Sequence, residues 1–199
     1  MAIFVLTSSF SFLFAVQINS KLPAVGQLVL TRLAVQLQRE LRRNSRARCE
    51  PLLRLLGQLV NQGVASELCA LQLLALLLDA PSRDSLELAA LLATECGAHL
   101  AASHPRPFAD VMEAFRAVLQ EGKVDQRTQY VVEQFMEARR TKFAAFPALL
   151  PELDLVEAAD QVRFFSRVSV CLSRSLTADS SRNRHGWRRR AAGRARLFG

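Results

Sequence analysis

From Phe12 onward, apolar side chains return at the three- and four-residue steps of an α-helix, and the pattern stops and restarts at short intervals. These restarts predict helices over residues 10–19, 23–43, 47–62, 65–79, 84–102, 106–121 and 126–141. In the third, Leu52, Leu55, Leu56, Leu59 and Val60 line one face. The fourth is apolar nearly all round from Leu68 to Leu78, which predicts a central place. Breaks between the helices have physical causes. Pro81-Ser82-Arg83-Asp84 ends one helix and caps the next, because a short oxygen-bearing side chain accepts from the free amides of a first turn. His104-Pro105-Arg106-Pro107 does the same further on, Gly122 suits a left-handed C-cap, and Asp125 is placed to cap the last helix.

Helices of similar length joined by short loops predict antiparallel hairpins stacked side by side. The expected fold is all-α, a HEAT-like α-solenoid, with a generic helical bundle as the alternative. After Arg140 the rhythm breaks at Phe143, Phe146 and Pro147, and an acidic stretch, "ELDLVEAADQ" (Glu152 to Gln161), follows. Three regions are expected: an apolar N-terminus over 1–11, a helical domain over 12–165, and a basic, disordered tail over 166–199.

Composition supports this reading. Half the chain is hydrophobic, with only 8 Gly and 7 Pro among 199 residues, and one Tyr and one Trp leave little material for strands. The net charge of +8 is unevenly spread: seven arginines and no acid lie in residues 180–199, leaving 19 Lys plus Arg against 18 Asp plus Glu elsewhere. Affinity for polyanions therefore belongs to the tail. Cys49, Cys69, Cys96 and Cys171 are spaced too widely for a metal knuckle and are expected to be free thiols. The first residues, "MAIFVLTSSFSFLFAV", are apolar but lack a cation ahead of the run, so a core helix is favoured over a secretory signal.

Catalytic patterns are missing: there is no phosphate-cradling glycine loop, and His99, His104 and His185 lie apart from ligand-spaced partners. Cys96 and His99 share a helix face, but a dyad also needs an oxyanion hole and a cleft, so both are read as structural. No cofactor, small-molecule substrate or membrane is expected. Three stretches remain for a partner. Arg39, Arg42, Arg43, Arg46 and Arg48 surround Asn44 at a helix end, where cations also suit the macrodipole. Glu137 to Phe143 forms a mixed-charge helix end beside an aromatic, and in the acidic stretch Leu153, Leu155 and Val156 alternate with Glu152, Asp154 and Glu157.

Several phrases taken in order resemble one family: "INSKLPAVGQLVLTRL" (Ile18 to Leu33), "LVNQGVASEL" (Leu59 to Leu68), "LLALLLDAPSRDSLELA" (Leu73 to Ala89), "ECGAHL" (Glu95 to Leu100), "VLQEGKVDQRTQYVVE" (Val118 to Glu133) and "ELDLVEAADQ". Together they are similar to the middle domain of initiation factor 4G (MIF4G), and within it to the spliceosomal branch. The resemblance implies a HEAT-type scaffold that works in the spliceosome and grips a DEAD-box ATPase of the initiation factor 4A class, here that of the exon junction complex. It further implies a partner-facing end built from Arg139, Arg140, Phe143, Asp154, Leu155, Glu157, Asp160 and Gln161. The pattern departs from the family after Gln161, at Val162-Arg163-Phe164. Nonspecific RNA contact would fall to Arg182, Arg184, Trp187, Arg188, Arg189 and Arg190, whose cations and one stacking ring suit a single strand. A nuclear location follows from the resemblance. An RNA-binding protein acting through the tail and a truncated relative without a partner are the alternatives.

Overall fold

The computed structural model describes residues 19–79, 81–120, 124–148 and 162–164. Six helices lie within them: α1 (Pro23–Arg42), α2 (Arg46–Asn61), α3 (Glu67–Asp79), α4 (Arg83–Ser103), α5 (Pro105–Gln120) and α6 (Gln126–Arg140). Each agrees with its predicted counterpart to within two residues, and the predicted helix over 10–19 lies almost wholly outside the described residues.

Helix ends follow local chemistry. Pro23 opens α1, where a missing N–H costs nothing, and α1 turns off through Asn44 at a φ of 49°, whose short side chain tolerates the left-handed region. Ser82 accepts from the Ser85 amide at 3.1 Å while the Ser85 hydroxyl accepts from the Ser82 amide at 2.7 Å, a reciprocal cap that starts α4. Asp125 departs from expectation. It stands at the N-cap of α6 without bonding its amides, because its carboxylate is drawn to Arg83 at 3.2 Å.

The hairpins α1–α2, α3–α4 and α5–α6 stack so that α2, α4 and α6 pack in one layer. In the other layer α3 packs against α5. The centre of the molecule is α4, which packs against α2, α3, α5 and α6, rather than the leucine-rich α3. Small residues decide this: Ala89, Ala90, Ala93 and Gly97 are all buried and let neighbours approach α4 closely. By contrast, Leu68 of α3 is 40% exposed. In α2 the buried stripe is Leu53, Leu56, Leu59 and Val60, with Leu52 and Leu55 packed at its edge.

An aromatic cluster closes the far end. Phe115 and Phe135 have ring centroids 5.0 Å apart, and Phe143 lies 6.2 Å from Phe108 and 6.3 Å from Phe135. Phe143 reaches this position from a turn in which Lys142 and Phe143 both hold positive φ, at 54° and 57°. Its ring covers Gly97, where an added Cβ would stand 2.4 Å from Phe143. Cys49, Cys69 and Cys96 are buried thiols outside any disulfide, as expected, and Cys171 lies outside the described residues. No helix among the described residues is long and apolar enough to cross a membrane.

Candidate interaction surface

The layer of α2, α4 and α6 bears a cleft of about 590 Å³, closed at one side by the turn after α6. Its polar wall is built across helices. Glu95 of α4 accepts from Gln58 at 3.1 Å and faces the Arg54 guanidinium at 3.6 Å, and its backbone carbonyl accepts from Asn61 at 2.8 Å. Burial pushes the Glu95 carboxyl above its usual range, against the opposing pull of Gln58 and Arg54. Arg54 also pairs with Glu50 at 2.8 Å. Phe146, 44% exposed, supplies an apolar lip, and Tyr130 on α6 accepts from Gln134 at 2.7 Å.

Beneath one end of this wall lies Glu87, whose side chain is 2% exposed. Arg46 of α2 stands against one carboxylate oxygen, while Arg83 at 3.6 Å, Arg127 at 3.8 Å and the Thr128 hydroxyl at 3.4 Å face the other. One buried carboxylate thus ties together the first turns of α2, α4 and α6. Nothing in the periodicity marks Glu87 as special beyond its place between Leu86 and Leu88, which was the available signal.

Three arginines of the exposed basic cluster around Asn44 are engaged by carboxylates. Arg43 and Arg48 reach Glu40 at 3.1 and 3.8 Å, and Arg46 is spent on Glu87. Cys96 and His99 do not form a dyad. The Cys96 thiol donates to the Leu92 carbonyl at 3.0 Å, and burial followed by the nearby Glu95 pushes it up to about 12. His99 turns instead to Glu67, at 3.1 Å. No cluster suited to a metal occurs among the described residues.

Of the residues expected at the partner-facing end, Arg140 is exposed and pairs with Glu137 at 3.0 Å, and Arg139 is half-buried. Phe143 is only 3% exposed, so its ring belongs to the aromatic core and a partner would meet its neighbours. Asp154, Leu155, Glu157, Asp160 and Gln161 lie outside the described residues, as do Arg182, Arg184, Trp187, Arg188, Arg189 and Arg190.

A second feature escaped sequence reasoning. Val162–Phe164 lies against the α2–α3 corner: Phe164 donates to the Val64 carbonyl at 3.0 Å, and its own carbonyl accepts from Ser66 at 3.4 Å. Phe164 and Ala65 form an isolated parallel bridge, and Asn19 donates to the Val162 carbonyl at 2.8 Å. Arg163 meets Glu67 at 3.1 Å. Such a three-residue contact has no periodicity by which to be recognised.

Stacked helical hairpins with a solvent-facing cleft define an α-solenoid scaffold. This chain belongs to the MIF4G family, whose MIF4G domain matches residues 13–142. It is similar to pre-mRNA-splicing factor cwf22 of Schizosaccharomyces pombe, with 41% identity over 148 residues, and to the pre-mRNA-splicing factor CWC22 homologue of Caenorhabditis elegans, with 42% over 153 residues. The Drosophila melanogaster CWC22 homologue is 42% identical over 144 residues. These matches cover 72–74% of this chain but only 11–17% of the relatives' own lengths.

Proposed function

We propose that this chain is a nuclear, non-enzymatic helical scaffold in pre-mRNA splicing, and that its partner is a DEAD-box ATPase of the initiation factor 4A class, that of the exon junction complex. The observation that carries the splicing role is the identity of 41–42% with three splicing factors over nearly three quarters of the chain. A scaffold role is supported by the buried, protonated Cys96 and by His99 being engaged with Glu67, which leave this pair no activated nucleophile. The helicase contact follows from the family resemblance, with Arg139 and Arg140 at the end of α6 and the acidic residues Asp154, Glu157 and Asp160 as its charged contributors.

Pull-down of the purified ATPase tests the partner. The wild-type chain is expected to retain it, and the D154K/E157K variant to retain several-fold less with an unchanged circular dichroism spectrum. Equal retention by both removes the acidic stretch from the interface, and retention by neither defeats the helicase reading. A second reading, RNA contact by the tail, is favoured by the seven arginines and absence of acids in residues 180–199.

A further inference from the structure

The corner between α2 and α3 is unusual for a connection, because every residue from Asn61 to Glu67 is buried. Part of the cover is the strand Val162–Phe164, and the bonds between the two are those of strand addition. The corner satisfies some of its groups internally: the amides of Val64 and Ala65 both donate to Leu59, at 2.9 and 3.0 Å. The Ser66 amide and the Val64 carbonyl are instead satisfied by Phe164. Withdrawing the strand removes the partner of both groups, and an incoming extended segment would restore it.

The occupant is read at three successive positions. Its first carbonyl accepts from the Asn19 side chain, its second side chain meets the Glu67 carboxylate, and its third lays an aromatic ring against the core beside Gly26. Alternation along an extended strand explains why the arginine is exposed while the ring turns inward. Gly26 makes room for this, since a Cβ there would stand 1.9 Å from the Asn19 oxygen and 3.1 Å from the Phe164 ring. Glu67 is kept ready for a cation. Burial pushes its carboxyl up, but the first-turn amide, His99 and Arg163 outweigh that and hold it below the usual carboxylate range.

We propose that this corner is a peptide-binding site for an extended arginine–aromatic segment, held here in cis by Val162–Phe164, and that a partner protein presenting the same sequence chemistry occupies it when the cis strand is withdrawn. Among the described residues the cis strand is held by three hydrogen bonds through its backbone, by the packing of the Phe164 ring and by one ion pair whose arginine side chain is 44% exposed. An intramolecular competitor of this kind acts at an effective concentration on the order of millimolar, so it masks the site without closing it permanently.

The test uses the full chain and a fluorescein-labelled peptide of residues 161–166. In the variant R163E/F164S the cis strand can no longer fill the site, and this variant is expected to bind the peptide at least about tenfold tighter than the wild type does, given that effective concentration. A peptide carrying Glu in place of the arginine is expected to bind the variant about tenfold more weakly, and adding E67K to the variant to reverse that preference, as charge pairing across an interface requires. Equal binding by wild type and variant, or no binding by a variant whose helical spectrum is intact, overturns the proposal. Should the double variant not fold, the wild type with excess peptide decides by hydrogen exchange. Exchange at the Phe164 amide should quicken while the Ser66 amide stays protected, and no change at Phe164 overturns the proposal.

Discussion

Glu67 and Glu95 show how far two residues of one type are separated by their surroundings. Glu67 opens α3, and although burial raises its carboxyl, the helix amide, His99 and Arg163 together lower it. A carboxyl held lower in the fold than in the unfolded chain stabilises the fold above its ordinary value of 4.5, and that contribution is lost as pH falls through the folded value. Glu95 is shifted the other way by burial, so its ionised form at neutral pH opposes folding and protonation relieves it. Thermal melts from pH 7 to pH 3 separate them. E67Q is expected to cost about 1.5–3 kcal/mol at pH 7, the range for hydrogen bonds to a charged group, with the gap from wild type closing toward pH 3. E95Q is expected to leave the pH 7 melt unchanged or raised. A constant gap for E67Q across the range would mean that its carboxylate is not held by charge.

At the scale of the helices, the sequence was most readable where periodicity and caps agree. The boundaries of α4 illustrate it, since Ser82 caps as expected and His104-Pro105 ends the helix one residue beyond the predicted limit. Replacing Ser82 by Ala is expected to cost about 1 kcal/mol, the typical worth of such a cap, a fall of roughly 2–4 °C in Tm for a chain of this length. Asp125→Ala removes only an exposed pair with Arg83 and is expected to move Tm far less. Similar losses from both changes would show that Asp125 caps α6 in solution. Centrality was less legible. The leucine content of α3 suggested the middle of the fold, but packing on both sides is set by how close backbones can come, and the alanines and Gly97 of α4 permit that. Phe143 was misplaced for a related reason, because the irregular turn carrying it looked like surface while its ring fills the space above Gly97. Glu87 and the Val162–Phe164 contact depend on partners distant in sequence, Arg46 and Arg127 for the one and Val64 and Ser66 for the other, and no local pattern encodes such meetings.

For the whole molecule, charge separates a near-neutral body from a tail with seven arginines over residues 180–199. Binding of labelled single-stranded RNA is therefore expected to be weak, nonspecific and steeply salt-dependent, and to vanish when the chain is cut after Leu176. Titrations of both chains at low and moderate salt check this. Undiminished binding by the shortened chain would move the RNA surface onto the helices, where Arg43, Arg46 and Arg48 are already engaged by Glu40 and Glu87. A solenoid is open by construction, each hairpin touching only its neighbours, so its first and last residues normally stand far apart. Here Asn19 and Val162 are within 2.8 Å of each other, on residues 143 positions apart. That single bond ties the approach to α1 to the segment laid on the α2–α3 corner, so withdrawing the segment from the corner also releases Asn19 beside Gly26.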